Sequence, residues 1–405
     1  MTNIANETRL QPDLLNAETF RNGPPHAIFD QLRASEPLYG QPDPINGGTV
    51  WSVTRFADLR AVSADLVNFT QIHGHQYPTP RSYAASMRDS IMFVDPPQHT
   101  RLRSFAAKAF SPSVVGKFEG WIREIVISIL DTIAEQDLID MVPQIAAELP
   151  GQVIASIMGV ADEDRKKLIG WACEIFGRVD PDIGLERAMA AVGTVRAFAI
   201  QLYATKRTNP AVDMTTELLH ASFKDVPITD GELTEMVLGL ILAGFETTHT
   251  LIAQSLLLIA QDGEVRRQVD ETPIGGFTQV VEEMLRINSP VMHMARTARQ
   301  DCEMHGKRIA EGDTVMMWYT AANRDPAVYD NPHTFDSSRG KRTHLAFGAG
   351  GPHFCIGNHL ARLEVEILFE EMRKRNIRLE LAGEPERSAG IFINALRSVP
   401  MRVVR

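Results

Sequence analysis

The sequence is poor in cysteine, in positive charge and in long apolar runs, and each shortage excludes a class of protein. Only three cysteines, Cys173, Cys302 and Cys355, occur in 405 residues, so we expect free thiols in a reducing cytosol instead of a disulfide scaffold. Acidic residues outnumber basic ones by 51 to 41, and the formal charge of −10 disfavours generic binding to nucleic acid or to an anionic membrane. The longest apolar run, Met236 to Phe245, is shorter than the ~20 residues that a membrane span needs.

The amino-terminal segment is polar and acidic and contains neither a signal-peptide core nor a membrane span. We therefore expect a cytoplasmic protein without a membrane anchor. Apolar residues make up 44% of the chain and charged residues 23%, as in an ordinary soluble globular protein. The length would allow about two or three domains, but no repeat or low-complexity linker divides the chain, so we predict one domain over residues 1–405.

Apolar periodicity predicts a mainly α fold with a minor β part. Between about His99 and Arg286 the pattern is helical, for example over Val114–Ile133, where apolar residues recur at steps of three and four. After Pro290 the pattern is strand-like, with a hairpin turn at His305-Gly306.

One long helix is predicted from about Asp230 to Gln261. Thr229 and Glu232 have the spacing of a capping box at its start, and Asp262-Gly263 is a stop signal. The segment is apolar on nearly all sides, so it should cross the middle of the protein.

The most informative stretch is a glycine-rich loop around a cysteine that leads into a predicted helix. It runs from Phe347 to Glu364 and reads FGAGGPHFCIGNHLARLE. Glycines let the backbone approach a flat ligand closely, and the amides around Cys355, together with the helix N-terminus, favour a thiolate. A thiolate held in this way is a soft ligand for iron. The alternative is a buried structural cysteine before a turn, which is common for a lone cysteine.

This segment resembles the haem-binding loop of the cytochrome P450 family. One departure is that Phe347 lies eight residues before Cys355 where most members have seven, so the loop carries one extra residue around Gly351-Pro352. The resemblance implies a P450-like fold with the long helix crossing over haem b, and Cys355 as the ligand of the haem iron. The other loop residues expected to contact the cofactor are Phe347, Gly348, His353, Ile356, Gly357 and Ala361.

Two further segments match the family in the expected order. Glu283 and Arg286 fit its Glu-x-x-Arg motif, and at three residues apart on a helix they can pair. Arg339, in the segment NPHTFDSSR, matches the third partner. The resemblance implies a structural charge network that supports the cysteine loop. Taken alone, a Glu-x-x-Arg pair is more often a solvated helix pair.

A group of donors matches the family's binding site for the haem propionates. His99 and Arg103 lie four residues apart in a segment that resembles the family's C helix, and both can donate to a carboxylate. Arg296 and His353 match two further donors. The alternative for His99 taken singly is an exposed helix residue.

The long helix carries the sequence AGFETT from Ala243 to Thr248. An acid inside an apolar helix is costly unless it is used or paired, whereas a threonine there often bonds back to a carbonyl. In context the segment resembles the family's oxygen-activation site. The resemblance implies that Glu246 relays protons, that Thr247 holds its hydroxyl at dioxygen, and that Gly244 leaves room above the iron. Ala243, Gly244 and Thr247 are expected to contact the cofactor as well.

The resemblance implies a monooxygenase that inserts one oxygen atom of O2 into a hydrophobic substrate, such as a terpenoid, steroid, fatty acid or hydrocarbon. Methionines are frequent among the expected pocket residues, although methionine also simply fills cores. His293 is a candidate donor to a substrate oxygen. The expected substrate contacts are Met87, Met92, Leu240, Val291, His293, Met294 and Phe392.

Electrons must come from outside, because the sequence has no flavin or iron–sulfur motif. The resemblance to soluble bacterial members implies a ferredoxin and its reductase. A ferredoxin is acidic, so basic residues near the cysteine loop are candidates for docking, although each could simply be solvated surface charge. These candidates are Arg101, Lys108, Lys341, Arg342 and Arg362.

Three other functions are compatible with parts of the pattern. A peroxygenase fed by hydrogen peroxide would lack the pair Glu246-Thr247, and a non-catalytic haem-thiolate sensor or carrier would need neither this pair nor a substrate cavity. A structural protein in which Cys355 belongs to the core would be colourless when purified.

Overall fold

The computed structural model of the chain describes residues 11–176, 183–340 and 343–405. Helices make up most of the fold, as predicted, and four short 3₁₀ or π turns, Ala17–Phe20, Ile91–Phe93, Gly116–Phe118 and Val142–Ala146, interrupt the connections. The α-helices of the described residues are α1 His26–Ser35, α2 Phe56–Ala64, α3 Arg81–Ser86, α4 Gln98–Ala107, α5 Pro112–Val115, α6 Glu119–Ala134, α7 Glu148–Ile157, α8 Asp162–Phe176, α9 Gly184–Thr208, α10 Met214–Leu219, α11 Asp230–Gln261, α12 Gly263–Glu271, α13 Thr278–Asn288, α14 Tyr319–Ala322 and α15 Asn358–Lys374.

The strands are short and form one five-stranded sheet and several small ones. They are β1 Leu38–Pro42, β2 Thr49–Val53, β3 Phe69–Thr70, β4 Leu138–Asp140, β5 Ser222–Phe223, β6 Val226–Pro227, β7 His293–Ala298, β8 Cys302–Met304, β9 Lys307–Ile309, β10 Thr314–Trp318, β11 Arg378–Leu381, β12 Glu386–Arg387, β13 Leu396–Ser398 and β14 Pro400–Val404. The main sheet has the order β1-β2-β10-β7-β3, in which only β2 and β10 pair in parallel. A three-stranded sheet has the order β11-β14-β4.

The long helix α11 begins and ends where the sequence predicts. Thr229 and Glu232 form the expected capping box, in which the Glu232 N–H donates to Thr229 Oγ1 and the Thr229 N–H donates to Glu232 Oε2. Asp262 ends the helix and caps α12, accepting from the N–H groups of Glu264 and Val265. Helix α11 has the length and mean hydropathy of a membrane span, but 67% of its most apolar window is buried inside the protein. It is therefore a core helix, packed against α7, α8, α9, α13 and α15.

The predicted helix over Val114–Ile133 is divided in the structure. Helix α5 ends at Val115, a 3₁₀ turn follows, and α6 starts at Glu119. Glycine is a poor helix former, and Gly116 stands at the break. Helix α6 then buries one apolar face, including Ile122, Val126 and Leu130.

The hairpin of β8 and β9 turns at His305-Gly306, as the sequence predicts. Both turn residues have positive φ, 51° and 71°, which is the conformation that a two-residue hairpin of type I′ requires. Strand β7 enters the main sheet between β10 and β3, and this position fixes the two residues that bear most on the site, His293 and Arg296.

Candidate active site

The cysteine loop closes on itself just before α15. The N–H of Cys355 donates to the carbonyl of Phe347 at 2.9 Å, and Asn358 Nδ2 donates to the carbonyl of Cys355 at 2.9 Å. The loop rests on the end of α2, where Ser63 Oγ donates to the carbonyl of Gly350 at 2.7 Å. At Gly351, φ is +77° and a Cβ would lie 2.5 Å from the carbonyl oxygen of Ser63. The longer loop therefore depends on glycine at this position.

The electrostatics of Cys355 differ in one respect from the expectation. The N–H of Gly357 and the charges of Arg103 and Arg362 lower the pKa of the thiol, as the sequence suggests. Burial raises that pKa by more, so the net pKa of Cys355 lies above its usual value. The protein alone does not favour the thiolate. A metal cation at the sulfur reverses this balance, because a coordinating thiol is deprotonated.

Four basic side chains meet in front of the cysteine loop. His99 on α4 is 1% exposed, and its ring centroid lies 4.0 Å from that of His353. Burial, followed by the positive charge of Arg103, lowers the pKa of His99 to about 4. Burial, followed by neighbouring basic groups, lowers the pKa of His353 to about 2. Arg296 on β7 is 5% exposed and donates only to the adjacent carbonyl of Ala295 in the hydrogen bonds resolved for its side chain.

This basic cluster, defined as His99, Arg103, Arg296 and His353, has the carboxylate of Asp95 in its neighbourhood, which acts on His99 and Arg296 through its charge but is paired with Arg299. Within residues 11–176, 183–340 and 343–405, no carboxylate lies within ion-pair distance of Arg103 or Arg296, and His99 Nδ1 and His353 Nε2 are buried without a hydrogen-bond partner. Buried cations and donors are normally paired. The cluster therefore fits a ligand with two carboxylates, as the propionates of haem would supply, lying above a cysteine sulfur.

One face of α11 is accessible where its neighbours are buried. Ala243 is exposed and Gly244 and Thr247 are partly exposed, whereas Phe245, Glu246 and Thr248 are buried. Ala243 and Thr247 lie four residues apart and therefore share the accessible face, with the backbone of Gly244 beside it. The Thr247 hydroxyl donates to the carbonyl of Ala243 at 2.7 Å, which is the back-bonded arrangement noted as the alternative. Its oxygen keeps its lone pairs for a donor on the accessible side.

The reason for glycine at position 244 is different from the expected one. A Cβ at Gly244 would point at Ile154 on α7 and lie 3.0 Å from its Cδ1. The glycine allows α11 and α7 to approach closely, and it does not directly clear space above the cysteine. The small residue on the accessible face is Ala243.

Glu246 lies inside the protein and pairs with a residue that the sequence analysis did not identify. Its Oε2 is 3.4 Å from His249 Nδ1, and both side chains are about 5% exposed. The charge of Glu246 also acts on Cys173 of α8. The pKa of this thiol is raised to about 12, first by burial and then by the charge of Glu246. The pair could have been found from the spacing, because residues three apart on a helix are neighbours.

The structure brings Glu283, Arg286 and Arg339 together behind the cysteine loop. Glu283 accepts two hydrogen bonds from Arg286, at 2.7 and 2.8 Å, and one from Arg339 at 3.0 Å. Arg286 also donates to the carbonyls of Asn323, Pro332 and Thr334 at 2.7–3.0 Å. The side chains are 2–9% exposed. This back network, defined as Glu283, Arg286 and Arg339, is internally satisfied.

The expected substrate contacts fall into two groups. Leu240, Val291 and Met87 are buried, and Met92, Met294 and Phe392 are partly exposed. Met87 also accepts from Arg196 Nη2 of α9 at 3.0 Å. His293 is fully buried, and its two ring nitrogens contact the Tyr77 N–H and the Ile391 carbonyl at 3.0 and 2.8 Å. The expectation that His293 bonds a substrate oxygen is therefore not supported by its geometry.

The candidates for docking an electron carrier are not equally free. Arg101 forms an ion pair with Glu232 of α11, and Arg362 pairs with Glu282 and lies over the ring of Phe347. Lys108 is exposed at the end of α4. The last two candidates, Lys341 and Arg342, lie outside the described residues.

Comparisons with known proteins agree with this geometry. The family model described as Cytochrome P450 matches residues 277–376, which contain the back network and the cysteine loop. The chain is 31% identical over 371 residues to a methyl-branched lipid omega-hydroxylase of Mycobacterium tuberculosis, covering 90% of this chain and 86% of that protein. It is 30% identical over 412 residues to linalool 8-monooxygenase of Pseudomonas putida, covering 97% and 99%.

A solved structure of a cytochrome P450 has a similar fold over almost the whole chain. The cytochrome P450 of the bacillaene polyketide synthase of Bacillus subtilis 168 superimposes with a TM-score of 0.87 and 28% identity, covering 98% of this chain and all of that one. The similarity thus includes the helical part, the main sheet and the cysteine loop.

Proposed function

The chain belongs to the cytochrome P450 family, and we propose that it hydroxylates a branched, non-aromatic hydrophobic compound with electrons from a ferredoxin. As a cytochrome P450 monooxygenase it uses haem b and O2. The observation that carries the site assignment is the unpaired basic cluster in front of Cys355, because it requires an anionic ligand at the place where haem would lie. We propose that residues 1–405 work as one domain in the cytoplasm.

The residues of the site would hold haem from three sides. Cys355 would be the iron ligand, and His99, Arg103, Arg296 and His353 would donate to the propionates. Contacts from the cysteine loop and from the accessible face of α11 would enclose the macrocycle. When bound, haem supplies the activation of dioxygen, while the protein supplies ligation, protons and substrate position. The loop and α11 contacts proposed are Ala243, Gly244, Thr247, Phe347, Gly348, Ile356, Gly357 and Ala361.

Thr247 and Glu246 are the proposed catalytic residues. The Thr247 hydroxyl already donates its proton to the Ala243 carbonyl, so its oxygen is oriented to accept from water or another donor on the accessible face. Glu246 is held by His249 on the other side of the helix. Glu246 would carry a proton inward by turning from its contact with His249 toward Thr247, and it would take up the next proton from solvent. Thr247 would hold the donor that passes this proton on to the oxygen being reduced.

The substrate class is proposed from the relatives and the apolar pocket residues. One relative is named for methyl-branched lipid and the omega position, which is the end of a chain, and another for linalool. Apolar side chains predominate among the expected contacts, so the recognition would rest on burial of hydrocarbon surface. The proposed contacts are Met87, Met92, Leu240, Val291, Met294 and Phe392.

The electron partner is proposed to be a small acidic ferredoxin with its reductase. Lys108 is exposed on the cysteine side and is the described candidate without an ion pair there. An acidic partner would gain mainly association rate from this charge, and the gain would fall with ionic strength.

The proposal is tested by titrating the purified haem protein with methyl-branched fatty acids, linear fatty acids, linalool and a steroid. We expect a low- to high-spin shift and terminal hydroxylation for the branched or terpenoid members, with a ferredoxin and its reductase as electron source. Binding and turnover of the linear fatty acids alone would overturn the substrate class. Turnover with hydrogen peroxide but not with reductant would overturn the monooxygenase cycle.

A further inference from the structure

A buried histidine at the start of β7 bonds to two separate loops. His293, the first residue of β7, is 0% exposed. Its Nε2 lies 3.0 Å from the N–H of Tyr77, in the loop between β3 and α3, and its Nδ1 lies 2.8 Å from the carbonyl oxygen of Ile391. The N–H of Tyr77 can only donate, so Nε2 must be the acceptor. The Ile391 carbonyl can only accept, so Nδ1 must carry the hydrogen, and the ring is neutral.

The contacts around His293 make it a connection between the loops. Its ring packs against Trp318 and Phe392, with centroids 5.1 and 5.5 Å away. On one side, the Ala295 N–H donates to the carbonyl of His75 at 2.7 Å, and on the other the Met292 N–H donates to the carbonyl of Phe392 at 2.8 Å. Strand β7 is thus bonded to both loops through its backbone, and the two ring nitrogens of His293 add a side-chain contact to each loop.

Both loops adjoin the proposed substrate pocket. The first precedes α3 and the apolar cluster of Met87 and Phe93, and the second contains Phe392. The loops meet where the His75 ring lies 6.3 Å from the ring of Phe392, and the His75 ring also lies 4.9 Å from that of Phe93. The separation of the loops therefore determines how much space lies between these aromatic rings.

We propose that His293 is a positioning residue that sets substrate specificity by fixing the separation of loop 71–80 from loop 388–395. The imidazole is a rigid spacer whose two nitrogens face opposite partners. Loss of its bonds would leave the buried Tyr77 N–H without an acceptor, which is costly, so the first loop would have to move or open to water. This inference rests on the proposed function only in taking these loops as walls of the substrate pocket.

Three substitutions separate the hydrogen bonds from the packing. H293F keeps an aromatic ring beside Trp318 and Phe392 but makes neither hydrogen bond. H293Q offers an amide oxygen and nitrogen about as far apart as the two ring nitrogens, so it can retain both bonds. H293N reaches the Ile391 carbonyl but not the Tyr77 N–H. A matched control is S52A, which removes the buried bond from Trp318 Nε1 to Ser52 Oγ, 3.0 Å long, without touching either loop.

The measurement is amide hydrogen exchange on the haem-loaded proteins, together with dissociation constants for the substrate panel from the spin-state shift. In H293F we expect exchange to be about five- to tenfold faster in peptides from both loops, with α15 unchanged. H293N should accelerate exchange only in loop 71–80, and H293Q and S52A should match the wild type. The ratio of dissociation constants for bulky and slender ligands should change at least fivefold in H293F and recover in H293Q.

The inference is overturned if H293F and H293N leave exchange in both loops within twofold of the wild type. It is also overturned if S52A accelerates the loops as much as H293F does, or if the loops loosen while ligand preference is unchanged. If H293F does not retain haem, the exchange rate of loop 71–80 in H293N tests the inference instead. Should no ligand of the panel shift the spin state of the wild type, the proposed substrate class fails, whereas the exchange result still tests the loop connection.

Discussion

The back network and the basic cluster are both buried groups of charge, but only one of them is complete. In the back network Glu283 lies between Arg286 and Arg339, and carbonyl oxygens accept the remaining donors. In front of Cys355, Arg103 and Arg296 form no ion pair among the described residues, and two histidine nitrogens there have no hydrogen-bond partner. A self-contained network is part of the scaffold, whereas a cluster of unpaired donors is a binding site that its ligand completes. We therefore expect substitutions in the back network to lower fold stability and substitutions in the basic cluster to weaken the retention of haem.

The largest expected effect is the loss of fold stability in R286L, a substitution in the back network. Removal of one partner from a buried ion pair costs about 3–5 kcal/mol, and here five hydrogen bonds, two to Glu283 and three to backbone carbonyls, are lost with the guanidinium. We expect R286L to be largely insoluble or to unfold at much lower urea concentration. R286K keeps the charge but not the planar array of donors. Its urea midpoint should therefore lie between those of R286L and the wild type. Unfolding of R286L within about 1 kcal/mol of the wild type would show that the network is not part of the scaffold.

R296A tests the other side of the comparison. A charge-assisted hydrogen bond contributes about 1.5–3 kcal/mol, so haem transfer from R296A to apomyoglobin should be about ten- to a hundredfold faster than from the wild type. The haem-free protein should be no less stable, because no carboxylate of the protein loses its partner. R308A is the control, since Arg308 is exposed and pairs with Asp301 away from the cluster. Equal haem loss from both variants would contradict the assignment.

T247A probes the accessible face of α11. Without the hydroxyl we expect substrate binding and the haem spectrum to be unchanged, while product formed per electron falls by about tenfold and peroxide rises. T247S keeps the hydroxyl and should remain coupled. The ratio of product to reductant consumed measures the effect, and full coupling in T247A would remove Thr247 from the proton path.

The last prediction is a pH dependence of stability, which salt and the other titrating groups make the least distinct of these effects. The pKa of His99 is about 4 in the folded chain against an ordinary 6.5, so the unfolded chain binds more protons between these values. Stability should therefore be full above about pH 6.5 and fall as pH drops toward 4. Because anionic propionates favour protonated His99, the slope should be steeper without haem than with it. H99Q should reduce the slope of the haem-free profile and leave the part that comes from His353, whose pKa is lowered to about 2. Identical slopes with and without haem would argue against His99 as a propionate donor.

The features that depend on the order of residues along the chain were predicted correctly from the sequence. The predictions that depend on where an individual side chain points were not. The bounds of α11 follow from Thr229, Glu232 and Asp262, whose capping signals are local. The meeting of Glu283, Arg286 and Arg339 follows from a family pattern spread over two segments. No local signal gives the direction of an individual side chain, and so the expectations for Gly244 and His293 were wrong in their physical reason.

His249 and the net pKa of Cys355 illustrate two further limits. The pairing of Glu246 with His249 was within reach of helix spacing, but an apolar helix offers many neighbours three residues apart. For Cys355, the donors that stabilise a thiolate can be read from nearby glycines and arginines. The opposing effect of burial depends on all the chain segments packed around the sulfur, which only the folded structure supplies.

The central claim is that haem lies between the basic cluster and Cys355, and the most direct test is the absorption spectrum of the reduced protein with carbon monoxide. The wild type and the controls C173S and C302S should show the red-shifted Soret band of thiolate-ligated haem, and C355S should lose it. A wild-type protein without haem, an imidazole-type band, or an unchanged band in C355S would contradict the account.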